Sequence, residues 1–114
     1  MLVGNLGAGK TTFVRGVARG LGAHGQVSSP TFQLLRWHEG RLPLAHVDLY
    51  RIDSPRELQA LGLDELLESS VVAVEWADRI PGLAGERTGT VVLSHLGRDT
   101  RELRIGSGPP EWSF

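Results

Sequence analysis

The chain has 114 residues, is 40% hydrophobic and 22% charged, and carries a formal charge of −1. That is the composition of one soluble globular domain, not of a disordered segment, and no apolar run approaches the roughly 20 residues that span a bilayer. Cysteine is absent, which excludes disulfides and cysteine-ligated metals. With no secretory leader pattern in the sequence, a cytoplasmic protein is expected. The near-neutral total gives no nucleic-acid footprint. Residues 1–57 nevertheless hold seven Lys and Arg against four Asp and Glu, while residues 58–114 hold five against nine. Solvated arginines on strand edges and turns account for the excess at Arg36, Arg41, Arg51 and Arg56 more simply than a binding face does.

Taken in chain order, Leu2-Val3 reads as a strand stub. Phe13, Val14, Val17, Ala18 and Leu21 then recur at helical spacing, with Gly22 as the stop. A loop over 23–30 closes at Ser29-Pro30. "TFQLLRW" (31–37) and "RLPLAHVDLY" (41–50) flank "HEG" as a hairpin, with Gly40 at the turn and the second strand starting at an edge or beyond Pro43. Ser54, Pro55 and Glu57 make a helix start with a capping box, the helix stops near Gly62, and Asp64 is expected to cap a further turn over "ELLES". "VVAVEW" (71–76) is a short β-branched run suited to a strand buried on both faces. A Pro- and Gly-rich loop covers 81–89, and "TVVLSHL" (90–96) pairs with "TRELRI" (100–105) across "GRD". Helix and strand alternate early and strands dominate late, which predicts an α/β sheet with a mixed edge. One domain over 1–106 and a flexible tail over 107–114 are expected.

The strongest chemical signal is Gly4-Asn5-Leu6-Gly7-Ala8-Gly9-Lys10-Thr11, followed by Thr12, which satisfies the Walker A pattern G-x-x-x-x-G-K-[ST]. Glycines let consecutive N–H groups point inward, and the helix that follows adds its positive end, so the loop cradles phosphate. Lys10 then reaches the β- and γ-phosphates and the Thr11 hydroxyl can bind Mg²⁺. Magnesium prefers oxygen ligands and keeps several waters, so one or two protein carboxylates suffice. Two strands end in an acid, Asp48 and Glu75. Glu75 follows the cleaner buried run and is the closer metal ligand, while Asp48 is a second carboxylate that holds or orients water. Each acid alone is more simply a strand-end residue paired with an arginine. Thr31 in "SSPTF" stands where switch-type nucleotide proteins place a γ-phosphate sensor, although a Ser-Pro turn explains the stretch equally well. His24, His38, His46 and His95 show no metal spacing. His46 shares a strand face with Asp48, yet reads best as a core histidine.

"GNLGAGKTTFVRGVARGLG", "VSSPTF", "HVDLYRI", "LGLDELL" and "VVAVEW", in that order, resemble the TsaE (YjeE) family of small P-loop ATPases required for threonylcarbamoyladenosine formation on tRNA. The resemblance covers residues 2 to about 80. It implies a P-loop NTPase-like mixed sheet flanked by helices. It also implies ATP and Mg²⁺ as cofactors, with Lys10 and Thr11 on phosphate and metal, Glu75 on the metal, and Asp48 and Thr31 needed for turnover. Its implied partner is the TsaB–TsaD complex, with tRNA reached only through that complex. Two departures stand out. Family members usually carry Asp where this chain has Asn5. They also have a further segment ahead of the Walker strand, so the chain is expected to lack an N-terminal piece that helps hold the adenine. Arg98 in "LGRD" is the candidate base contact from the C-terminal side. Two alternatives remain at this level: a small-molecule phosphotransferase, and a binding module whose nucleotide is structural.

Overall fold

The computed structural model describes residues 1–5, 7–23, 34–52, 54–79 and 88–107. Leu2–Val3 (β1) leads into the glycine loop and Lys10–Gly20 (α1) leaves it. Leu35–His38 (β2) and Leu44–Asp48 (β3) form the hairpin, followed by Pro55–Ala60 (α2), Leu63–Ser69 (α3) and Val71–Glu75 (β4). Thr90–Gly97 (β5) and Thr100–Ser107 (β6) complete one six-stranded sheet of order β2-β3-β4-β1-β5-β6. β3, β4, β1 and β5 run parallel, and β2 and β6 pair antiparallel at the two edges. The expected mixed-edge α/β sheet is therefore observed. No helix among the described residues is long and apolar enough to cross a membrane.

Side chains alternate across each strand, and this divides the core in two. Leu2, Leu44, Ala73, Val91 and Leu93 face α1, which buries Val14 and Ala18 against them. Val47, Leu49, Ile52 and Val74 face the other way, toward Leu58, Leu61 and Leu63 of the α2–α3 segment. Neither α2 nor α3 buries a residue completely, so that layer covers the sheet less tightly than α1 does. The third residues of the two parallel strands, His46 of β3 and Ala73 of β4, are register partners on the α1 face.

Local chemistry explains most boundaries. Pro43 lacks an N–H, and β3 begins one residue after it; the Pro43 carbonyl accepts from the Val71 N–H at 2.9 Å and so starts the β3–β4 ladder. The hairpin turn also closes the end of α1, because Arg41 donates its backbone N–H to the Leu21 carbonyl at 2.8 Å and its guanidinium to the Gly20 carbonyl. Ser54 Oγ accepts from the Glu57 N–H at 3.3 Å, as the capping sequence requires. Asp64 does not cap α3. Gly62, in the left-handed conformation (φ 67°), ends α2 and is itself the residue before α3, so Asp64 falls inside the first turn. Residues 31–33 of the expected first hairpin strand, most of the 81–89 loop and the 108–114 tail lie outside the described residues.

Candidate nucleotide-binding site

The glycine loop takes its shape from close approach and backbone sign. A Cβ on Gly4 would lie 2.5 Å from the Leu93 carbonyl oxygen of β5, so only glycine lets the chain leave β1 here. Gly9 has φ 110° and turns directly into α1, whose first hydrogen bond runs from the Phe13 N–H to the Gly9 carbonyl at 2.9 Å. The first turn of α1 contains no acidic residue of its own, although the Glu75 carboxylate reaches Thr11 there at 3.4 Å. Backbone N–H groups at a helix start of this shape are suited to receive an anion.

Lys10 is buried in front of this loop. Its Nζ donates to the Gly4 carbonyl and, at 3.0 Å, to the Asn5 carbonyl, and it stands 4.0 Å from the centroid of the Trp76 ring. Burial holds its pKa below the usual lysine value; the charges of Glu75, Asp48 and Asp78 pull the other way without cancelling that effect. Trp76 has φ 59°, an outlying conformation for a bulky residue that costs of order 1–3 kcal/mol. This backbone turn, directly after Glu75, brings the indole back over the lysine. The Tyr50 ring packs against the indole at 5.0 Å, and the Arg79 guanidinium lies 5.8 Å from the Tyr50 centroid.

The two acids meet beneath the loop. Asp48 and Glu75 are register partners at the carboxyl ends of β3 and β4, and both are buried. Open α/β sheets bind ligands at this end of their strands. Thr11 Oγ1 lies 3.4 Å from each oxygen of Glu75, and the Glu75 Oε2 also contacts His46 Nε2. Asp48 Oδ1 accepts the Tyr50 N–H at 2.9 Å. Oxygens on one magnesium sit about 2.0–2.1 Å from the ion, so the Thr11–Glu75 spacing suits a shared cation, and the hydroxyl–carboxylate donor set is of the hard kind magnesium prefers. Among the described residues no group of three or more His, Asp or Glu side chains could hold a metal unaided. The donors therefore fit an ion completed by phosphate and water better than an all-protein cage.

A cleft of about 980 Å³ lies over these groups. Gly7, Ala8, Gly9, Lys10, Thr11, Thr12, Asp48 and Glu75, eight of the residues singled out in the sequence, all line it. Asn5 does not line it, but its carbonyl receives Lys10, which does. Leu6 and Thr31 lie outside the described residues. Arg98 sits at the β5–β6 turn with φ 45°, and its carbonyl accepts from Arg101. That hairpin lines the cleft with Asp99, Arg101 and Leu103 instead. Arg101 and Leu103 pair with His95 and Leu93 and so share the α1 face, a placement that strand alternation in "TRELRI" contained once the pairing was known. His46, read as a core residue, is fully buried and touches the acid nearest Thr11.

The family model described as "Threonylcarbamoyl adenosine biosynthesis protein TsaE" matches residues 1–103. A Treponema pallidum protein named tRNA threonylcarbamoyladenosine biosynthesis protein TsaE is 40% identical over 106 residues, covering 92% of this chain and 78% of that one. The Bacillus subtilis protein of the same name is 43% identical over 104 residues, covering 90% of this chain and 65% of that one. The crystal structure of Bacillus subtilis YdiB superposes with a TM-score of 0.71 at 37% identity, covering 91% of this chain and 64% of that one. The chain thus spans slightly less than two thirds of both Bacillus proteins.

Proposed function

Because this chain belongs to the TsaE family of threonylcarbamoyl adenosine biosynthesis proteins, we propose that it binds ATP with Mg²⁺ in the cleft and hydrolyses it slowly. The pathway served is threonylcarbamoyladenosine modification of tRNA, in the cytoplasm. The ATPase acts on a TsaB–TsaD complex and meets tRNA only through those partners. The observation that carries the nucleotide chemistry is the in-register Asp48–Glu75 pair set beside Thr11 and Lys10 under the glycine loop.

Each residue has a distinct task in this account. The loop N–H groups and the α1 terminus bind the phosphates. Lys10 exchanges the Gly4 and Asn5 carbonyls for β- and γ-phosphate oxygens, which are stronger acceptors because they are charged. Thr11 and Glu75 would hold the magnesium, whose charge neutralises the phosphates during transfer. Asp48, one strand over and tied by the Tyr50 N–H, orients the attacking water and receives its proton. Thr31, by family resemblance, senses the γ-phosphate. Phe13 and Leu103 give the cleft apolar surface and Arg101 a cation, a lining suited to base and sugar. The cleft volume is of the size that small-molecule sites have, about 300–1,000 Å³.

The test is ATP hydrolysis with the partner complex present, with and without magnesium. Turnover that requires the metal and is lost in Asp48→Ala and Glu75→Ala supports the assignment. Unaltered turnover in either variant removes that residue from the mechanism.

A further inference from the structure

We propose that His46 is a positioning residue that fixes the Glu75 carboxylate for the metal, an inference that rests on Glu75 being a metal ligand. His46 is fully buried in the middle of β3, two residues before Asp48 on the α1 face. Its register partner on β4 is Ala73, whose small side chain leaves the imidazole room to reach diagonally along the sheet to Glu75, two residues further on. There Nε2 contacts Oε2. A carboxylate only accepts, so Nε2 carries the proton. Nδ1 is buried with no hydrogen-bond partner among the described residues.

Two consequences follow from burial. An imidazole with no exposed surface cannot swing away, so it holds one carboxylate oxygen and limits the rotation of the other. The buried carboxylate also gains a second donor beside the Thr11 hydroxyl, one that an apolar neighbour would not supply. An apolar side chain at residue 46 would fill the same space without the cost of burying Nδ1 unpaired. The polar contact therefore serves Glu75, and not packing alone. Partners of this kind around a metal-binding side chain typically contribute 10–100-fold in metal affinity.

The experiment separates magnesium affinity from nucleotide affinity and from folding. ADP binding is titrated by calorimetry in EDTA, Mg²⁺ half-saturation is measured at saturating ADP, and thermal melts are recorded for each variant. His46→Leu is expected to weaken Mg²⁺ half-saturation by about tenfold or more while Mg-free ADP affinity stays within about twofold. His46→Gln, which places an amide N–H at a similar reach, is expected to recover most of the loss. His46→Asn, polar but too short, behaves like the leucine variant and serves in its place if that variant does not fold. Unaltered Mg²⁺ half-saturation in His46→Asn, or an equal fall in Mg-free ADP affinity, overturns the inference. Glu75→Gln is the reference: if it leaves Mg²⁺ half-saturation unaltered, the assignment of Glu75 fails, and the result for His46 is then attributed to structure alone.

Discussion

Asp48 and Glu75 face each other across adjacent parallel strands, in register, buried at the strand ends that open under the glycine loop. Two like charges so placed repel unless cations share them, and Lys10 interacts electrostatically with both. In the proposed function, Mg²⁺ with nucleotide supplies the rest. Their roles should separate in kinetics. Asp48→Asn is expected to lower the hydrolysis rate by about 100-fold or more, within the range of general-base losses, with ADP affinity changed only a few-fold. Single-turnover rates beside calorimetric affinities make the distinction. Equal losses in both would make Asp48 a binding residue.

Lys10 gives a proton-linkage prediction. In the free protein burial lowers its pKa from the ordinary 10.5, so the amine sheds its proton at a lower pH than an exposed lysine. Bound polyphosphate surrounds the amine with negative charge and raises that pKa. Binding is therefore expected to take up protons in the alkaline range between the free and bound values, and affinity falls as pH rises through it. Calorimetry in two buffers of unlike ionisation enthalpy measures the uptake; Lys10→Met should remove it.

Trp76 reports the same movement. Its ring lies 4.0 Å from the ammonium of Lys10, so drawing the lysine to phosphate removes a cation from the indole face. Emission is expected to change on adding Mg-ADP in the unaltered protein and to stay flat in Trp76→Phe, although Trp37 and Trp112 remain. A full-sized signal in Trp76→Phe would place the change elsewhere.

His38 predicts the acid side of the stability curve. It is buried near His46 and Arg36; burial is the main cause that lowers its pKa from 6.5, and these two neighbours add to it. The unfolded chain thus binds a proton below pH 6.5 that the folded chain resists. Stability should fall as pH drops from 6.5 toward the lowered value and change no further from this group beneath it. Urea midpoints across that range, compared with His38→Gln, isolate the contribution; the variant should show a shallower slope.

What was legible in the sequence was local. The glycine loop, the spacing of Val14 and Ala18 on α1, the Pro43 start of β3 and the Ser54 cap are each decided within a few residues, and the structure places them as expected. Asp64 failed as a cap because Gly62 takes the left-handed turn first. His46 looked like a core residue because its contact with Glu75 depends on the β3–β4 register, 29 residues apart in sequence. Arg101 and Leu103 reach the cleft only through the pairing of β6 with β5, and β5 in turn with β1, which no single stretch encodes. Trp76 stood out beside Glu75 as a ring that could pack near the nucleotide or equally in the core, but nothing in "VEWAD" announces its positive φ.

The claim that this cleft is a nucleotide site is tested most directly by titrating Mg-ATP and Mg-ADP into the unaltered protein and into Lys10→Ala and Thr11→Ala by calorimetry. Saturable one-to-one binding in the unaltered chain, lost by about 100-fold or more in Lys10→Ala and reduced in Thr11→Ala only when magnesium is present, is the predicted result; each tenfold step corresponds to about 1.4 kcal/mol. Unchanged affinity in both variants would contradict it.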